Sequence, residues 1–172
     1  MNLRIILIHL FATILIIAGA KQFAVLKDIR LVETISNYEY GTKEFNVHLT
    51  KTGNINSGER MAYYLRWTFY SALLGLFVSF IISFIICFRK KALWLNSFIV
   101  LIVGLFIQKL LFNLSIVRQI TNSFGELFIS FGLQYTVIIN GLLWTTVGLL
   151  IFFNKWTNKF IIDSQETTAT NS

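Results

Sequence analysis

The chain has 172 residues, of which 55% are hydrophobic and only 13% are charged, and its formal net charge is +7. A soluble domain carries about 25% charged residues, so the composition excludes an ordinary soluble globular domain and indicates a membrane protein. The basic residues mostly flank the apolar segments, where they anchor helix ends and contact lipid headgroups. We therefore expect the lipid bilayer as a partner, and no nucleic-acid binding.

Four long apolar segments occupy most of the chain. The second, third and fourth are long enough to cross a membrane core of about 30 Å, which takes roughly 20 helical residues. We place these three transmembrane helices at residues 66–88, 93–115 and 131–153. The first segment, residues 1–20, has a basic start and ends in Ala18-Gly19-Ala20, so it is either a first transmembrane helix or a signal-like segment that is cleaved.

Residues 21–65 are the sizeable polar segment, and we expect them to form a small extracytoplasmic α/β segment between helices 1 and 2. Apolar residues at helical spacing in its first half predict an amphipathic helix. They are Val25, Leu26, Ile29, Val32 and Ile35. In its second half Phe45, Val47 and Leu49 alternate with polar residues, which predicts a half-buried strand. The predicted fold is an all-α membrane protein, a four-transmembrane-helix bundle that carries this α/β segment.

Charge near the helix ends predicts the orientation. Arg89-Lys90-Lys91 fill most of the short hairpin 89–92, and cytoplasmic loops are rich in lysine and arginine. A raw count of basic residues favours the opposite orientation, because residues 21–65 hold many, but there they lie among carboxylates as in a small folded domain. We therefore predict a multi-pass protein of the plasma or bacterial inner membrane, with both termini and the tail 155–172 in the cytoplasm.

The most regular pattern is a stripe of small residues at every fourth position of the second transmembrane helix. The stripe consists of Ser71, Gly75, Ser79 and Ser83. A matching set on the fourth helix consists of Gly141, Thr145 and Gly148. Small residues on one face let a neighbouring backbone approach closely, so both sets predict a helix-packing interface. The partner of the stripe is either another helix of this chain or a second protein. Ala72 lies about 100° round the same helix, and we expect it outside the contact.

Polar residues inside the apolar segments define a candidate intramembrane polar site. They are Lys109, Asn113, Gln134 and Asn140. Lys109 is close enough to the outer end of its helix for its ammonium to reach the headgroups, so it is either a snorkelling residue or part of a binding site. Asn140 lies near the bilayer middle, where it is either structural glue between helices or a contact for a substrate or ion. His9 has the same two interpretations.

The sequence contains no pattern that is typical of a catalytic site or a metal site. No Asp or Glu lies within an apolar segment, which opposes proton or cation coupling through a buried carboxylate. The two histidines, His9 and His48, lie far apart, and the single cysteine, Cys87, excludes an internal disulfide. We expect no enzyme activity and no catalytic, cofactor-binding or metal site.

The order of the predicted elements resembles the claudin and peripheral-myelin type, in which a polar extracellular segment follows the first of four membrane helices. The tryptophan and cysteine signature of that segment is absent from residues 21–65, so nothing of the family's function is carried over. The start of the chain, from Arg4 to Lys21, is similar to that of the DoxX-like four-helix proteins in its general character only.

These features predict a non-enzymatic protein: a structural, assembly or interaction subunit of a membrane complex, bound to another membrane protein or to itself. The alternative is a subunit of a small oligomeric transporter or channel, in which the four residues of the candidate polar site line a path.

Overall fold

The computed structural model describes residues 2–39, 41–51, 57–111 and 132–154, and every regular element within them is a helix. The helices are α1 Leu3–Val25, α2 Ile29–Asn37, α3 Lys43–Thr50, α4 Ser57–Arg89, α5 Leu95–Leu111 and α6 Leu133–Phe153. A 3-10 turn, Leu26–Asp28, joins α1 to α2. The helical segments long and apolar enough to cross a membrane are Leu3–Ile35, Gly58–Arg89 and Leu133–Phe153. The described part of the chain is therefore all-helical, with three candidate membrane-spanning helices.

Helix α1 is the centre of the structure. It packs against α4, α5 and α6, and half of the residues in its apolar stretch are buried, a larger share than in α4 or α6. Its start is fixed by Asn2, whose side chain accepts hydrogen bonds from the backbone N–H groups of Arg4 and Ile5. A helix that is apolar all round gains most when neighbours cover it on several sides, and α1 has that position.

Contacts along the helices fix their directions. Ile5 of α1 packs in one buried cluster with Ile86 of α4 and Phe152 of α6. Midway along the helices, Gly104 of α5 lies against Leu76 of α4. Helix α4 therefore runs antiparallel to α1 and α5, and the last turn of α6 lies beside the first turn of α1. We call this end of the molecule, made of residues 2–5, 86–96 and 152–154, the hairpin end.

The opposite end carries a small helical cap, formed by α2, α3 and the first turns of α4. Leu31 of α2 and Phe45 and Leu49 of α3 form its buried core, against which Tyr64 of α4 packs. Helix α4 has 33 residues, which gives it a length of about 50 Å. Because a membrane core is about 30 Å thick, α4 is long enough to cross it and still form one wall of the cap.

A bidentate ion pair joins the cap to α4. Arg60 donates to Asp28 twice, from Nε to Oδ2 at 2.6 Å and from Nη2 to Oδ1 at 2.7 Å. The same carboxylate caps α2, because Oδ1 also accepts from the backbone N–H of Leu31 at 3.1 Å. The ammonium of the neighbouring Lys27 lies 4.8 Å from the ring centroid of Trp67, which adds a cation–π contact between the same two parts.

The predicted strand at residues 45–49 is wrong, because this segment belongs to helix α3. Thr42 supplies the N-cap, its hydroxyl accepting from the backbone N–H of Phe45 at 3.2 Å. Phe45 and Leu49 are four residues apart and share the buried face of the helix, whereas Val47 is 43% exposed. Apolar residues at i, i+2 and i+4 fit either period, and the described residues offer no second strand to pair with. In its described part the cap is helical rather than α/β.

The helix bounds also differ from those that hydropathy alone gives. Helix α1 continues to Val25 rather than ending at residue 20, and α4 begins at Ser57 rather than at residue 66. Apolar composition marks the part of a helix suited to lipid, whereas backbone hydrogen bonding continues into polar sequence. Of the amphipathic helix predicted from Val25 to Ile35, the part from Ile29 onward is present as α2, whereas Val25 ends α1 and Leu26 begins the 3-10 turn. Residues 112–115 of the third predicted helix and the tail 155–172 lie outside the described residues.

The ion pair between Arg60 and Asp28 gives a first prediction. Arg60→Gln removes both charged hydrogen bonds from a largely buried carboxylate, so we expect it to destabilise the cap by about 1–3 kcal/mol. Amide hydrogen exchange in α2 should become faster, because Asp28 also caps that helix. Arg66→Gln is the matched control, since Arg66 is an exposed arginine on the same helix. Equal exchange rates in the two variants would contradict the proposed role of the ion pair.

Candidate functional site

A chain of hydrogen bonds connects three helices near the hairpin end. His9 Nδ1 on α1 lies 2.8 Å from Ser83 Oγ on α4, and Ser83 Oγ donates to Ser97 Oγ on α5 at 3.0 Å. All three side chains are buried, with exposed fractions of 1% or less. Because the Ser83 hydroxyl donates its own hydrogen to Ser97, its oxygen accepts a hydrogen bond from the Nδ1–H group of His9. We call His9, Ser83 and Ser97 the polar link.

The polar link is enclosed by side chains of the surrounding helices. The ring centroid of Phe152 on α6 lies 5.0 Å from that of the His9 imidazole. The thiol of Cys87 adjoins the hydroxyls of Ser83 and Ser97. His9 lies six residues into α1, so the link is about 9 Å from the start of that helix, within its apolar segment. The site therefore brings together one polar side chain from each of α1, α4 and α5, surrounded by apolar side chains.

A serine beside a histidine is also the arrangement of an activated nucleophile. Here the Ser83 hydroxyl is fully buried and bonded to Ser97, so a substrate has no access to it. In the described helices the carboxylates lie in the cap, where none can orient the imidazole of His9. The arrangement instead satisfies polar groups inside an apolar environment and holds three helices in register, as interhelical hydrogen bonds do in membranes.

The stripe of small residues on α4 faces α1. A Cβ atom placed on Gly75 would lie 3.1 Å from Ala20 Cβ and 3.2 Å from Ile17 Cα, so the two backbones approach closely there. Ser79 is fully buried and donates to its own helix, to the carbonyl of Gly75 at 2.8 Å. Ser83 belongs to the polar link, and Ser71 is half-buried toward the cap. The described partner of the stripe is thus another helix of this chain.

The small residues of α6 face another side of α1. Gly19 of α1 lies so close to the backbone of α6 that an added Cβ atom would be 2.7 Å from the Gly141 carbonyl oxygen and 2.9 Å from Thr145 N. An added Cβ atom on Gly148 would be 2.9 Å from the carbonyl oxygen of Ala12. The two sets of small residues therefore flank α1 rather than meeting each other. Gly19 lies in the sequence Ala18-Gly19-Ala20, which also has the form of a signal-peptidase site. Because Gly19 was considered only as part of such a site, the packing role of this residue was not predicted.

Of the four residues of the candidate intramembrane polar site, the described structure places the side chains of Gln134 and Asn140, and it does not bring these two together. Gln134 is exposed near the start of α6, whereas Asn140 is only 4% exposed. The two are six residues apart, which places them on different faces of that helix. Lys109 is within α5, but its side chain, like the whole of Asn113, lies outside the described part of the chain.

Three polar residues of α5 that were not assigned to the candidate polar site are buried in the structure. Ser97 belongs to the polar link, and Asn96 accepts a hydrogen bond from the backbone N–H of Asn2 at 3.2 Å. Gln108 is 3% exposed, and neither polar atom of its amide has a hydrogen-bond partner in the described structure. Ser and Asn are common in the first turn of a helix, so the Asn96-Ser97 pair resembles an ordinary helix start rather than a site.

The described residues define a class only: a set of helices, three of them long and apolar enough to cross a membrane, that are joined by buried hydrogen bonds and close backbone contacts. Comparisons of the chain with protein-family models, with curated proteins and with solved structures find no match. The functional proposal therefore rests on the contacts within this chain.

The polar link predicts a difference between two buried serines of the same helix. Ser83→Ala leaves the His9 imidazole and the Ser97 hydroxyl without a shared partner, so we expect a loss of about 1–2 kcal/mol of stability. Ser79→Ala is the matched control, because among the described residues the Ser79 hydroxyl bonds to its own helix, at the carbonyl of Gly75. Reversible unfolding in mixed micelles measures both variants. A Ser79→Ala loss as large as that of Ser83→Ala would show that the link contributes nothing of its own.

The contact between α4 and α1 gives a third prediction. Gly75→Leu places a bulky side chain where the α1 backbone lies, so we expect a loss of at least about 1–3 kcal/mol of stability or a failure to fold. Ala72 was expected outside the contact, but it is fully buried against Ile17 and Leu76, so it is not a suitable control. Val78→Leu is the better one, because Val78 is 41% exposed. Similar thermal stability of Gly75→Leu and Val78→Leu would contradict the close approach.

Proposed function

We propose that this protein is a non-enzymatic structural, assembly or interaction subunit of a membrane complex. The observation that supports the proposal is the use of the buried polar side chains. His9, Ser83 and Ser97 bond to one another across helices, and Ser79 bonds to its own helix. Polar groups used in this way stabilise a scaffold, whereas those of a transporter or an enzyme face a substrate or a water-filled path.

The membrane arrangement that we propose is a bundle of four transmembrane helices, with α5 as the fourth span beside α1, α4 and α6. The first turn of α1, the α4–α5 hairpin and the last turn of α6 all lie at the hairpin end, which fits an even number of crossings. Arg89, Lys90 and Lys91 at that end favour the cytoplasmic side. Both termini are then cytoplasmic, in a plasma or bacterial inner membrane, and the cap is extracytoplasmic.

Helix α1 is retained in the mature protein in this proposal. It makes the contacts that join α4, α5 and α6, including the two glycine contacts and the polar link. Cleavage after Ala20 would remove His9 and Gly19 and expose the faces that they cover. The intact mass of the purified protein tests this point, since retention of residues 1–20 is expected and a mass lacking them would contradict it.

The partner that we propose is another membrane protein or a second copy of this chain, and it would contact an outward face of the helices. The outer face of α4 is rich in large exposed side chains, among them Phe69, Leu74, Phe77, Ile81 and Phe88. Such a face suits either lipid or an apolar partner helix. Mild extraction followed by chemical cross-linking and mass spectrometry tests the proposal. The expected result is a stable complex, and a monomer without any cross-linked protein would contradict it.

The second candidate function is a subunit of a small oligomeric transporter or channel. The observation that favours it is Gln108, an almost completely buried amide whose polar atoms have no hydrogen-bond partner in the described structure. Buried polar groups are normally bonded, so such an amide is suited to a water or a passing solute. Solute flux in liposomes that is lost in Gln108→Leu, while the folded protein persists, would favour this candidate over the scaffold.

The proposed orientation gives a fourth prediction. In a Cys87→Ser background, Lys43→Cys in the cap should react with a membrane-impermeant thiol reagent on intact cells, because the cap is outside. Arg89→Cys in the hairpin should react only after the cells are permeabilised. Both side chains are exposed on the protein, so a difference in labelling reports the side of the membrane. The reverse labelling would overturn the orientation.

A further inference from the structure

A cluster of positive charge lies at the hairpin end. Its members are Arg4, Arg89, Lys90 and Lys91, all of them exposed or half-buried. The hydrogen bond from the backbone N–H of Asn2 to Asn96 Oδ1 holds the start of α1 beside the start of α5. Ile5 also packs against Ile86 and Cys87 in the last turn of α4. These contacts place Arg4 of α1 at the same end of the molecule as the three basic residues of the hairpin. We call the four side chains the basic cluster.

The basic cluster has no counter-charge among the described residues at its end of the molecule. Every described carboxylate lies between residues 28 and 59, in the cap at the opposite end. Like charges held close together repel, so the basic cluster favours an anionic partner.

The turn that ends α4 does not require these charges. Ala92 N donates to the Cys87 carbonyl at 2.9 Å, which closes a Schellman turn. Lys91 occupies its left-handed position with a φ of 53°, where glycine is the residue that fits best. Lysine is therefore not the residue that the turn geometry favours, and its charge needs another explanation.

Large apolar side chains are exposed directly beside the charges. Trp94 is 54% exposed, Leu93 is 56% exposed and Phe88 is 74% exposed. Tryptophan prefers the boundary between acyl chains and headgroups. A surface on which ammonium and guanidinium groups adjoin exposed tryptophan and aliphatic side chains matches a molecule with an anionic head and an apolar body.

We propose that the basic cluster binds the phosphate headgroup of an anionic phospholipid, with the acyl chains packed along Leu93 and Trp94. The single negative charge of a bound lipid offsets part of the positive charge of the cluster, and the lipid stays on the protein when bulk lipid is removed. Basic residues near a membrane surface strengthen attraction to anionic lipid about fivefold each. Removal of three of them is therefore expected to weaken the selective binding roughly a hundredfold.

Native mass spectrometry of the protein in detergent with equal amounts of phosphatidylglycerol and phosphatidylcholine tests this proposal. The expected result is a phosphatidylglycerol adduct on the native protein. Arg89→Gln/Lys90→Gln/Lys91→Gln should lose this adduct. Arg30→Gln/Lys43→Gln/Lys51→Gln is the matched control, which removes three exposed basic residues from the cap and should keep it. Equal binding of the two lipids, or equal loss in the two triple variants, would overturn the proposal.

Two further measurements separate lipid binding from folding and from binding of a free anion. Lys91→Gly suits the left-handed turn, so it should keep or raise thermal stability while weakening phosphatidylglycerol binding about fivefold. Unchanged lipid binding in this well-folded variant would contradict the proposal that the basic cluster binds the headgroup. Inorganic phosphate at millimolar concentration should leave the adduct in place, because the acyl chains contribute to binding. Displacement by phosphate would show a site for a soluble anion and overturn the assignment to lipid.

Discussion

Lipid offers no hydrogen bond to a buried polar side chain, so such a group inside the helices is costly unless another part of the protein bonds to it. The hydrogen bonds among His9, Ser83 and Ser97 meet this requirement, and the arrangement of α1, α4 and α5 depends on them. The imidazole cannot move away from Ser83 without losing its partner. Since the imidazole would be costly to bury without this partner, the hydrogen bond fixes the depth and the rotation of α1 relative to its neighbours.

Close backbone contacts complete what the polar link begins. Apolar side chains pack against lipid almost as well as against protein, so helices associate where small residues allow many short contacts. Gly75 brings α4 onto α1, and Gly19 and Gly148 bring α6 onto another side of the same helix. Both of these contacts are made by α1. The helix whose sequence also resembles a signal segment is therefore the one against which α4 and α6 pack.

The apolar segments, the basic hairpin and the stripe of small residues follow directly from the sequence, because each depends on composition or on helical period alone. Tertiary contacts decide the rest. Phe45 and Leu49 fit a strand or a helix equally well, and the cap residues Leu31 and Tyr64 that cover one helix face make the choice. The prediction that Ala72 lies outside the contact was wrong, because α1 lies at the centre of the helices and covers more than one face of α4. Ser97 was missed because only its partner on α4 distinguishes it from an ordinary polar residue at a helix start.

The polar link is tested most directly by a double-mutant cycle between His9 and Ser83, measured as unfolding free energy in a bilayer-like environment. The variants are His9→Ala, Ser83→Ala and the pair together. If the hydrogen bond between the two side chains couples α1 to α4, the double variant should lose less stability than the sum of the single losses, by about 0.6–1.7 kcal/mol. Single losses that add to within about 0.3 kcal/mol would mean that the two residues do not interact, and this result would contradict the central place given to the polar link.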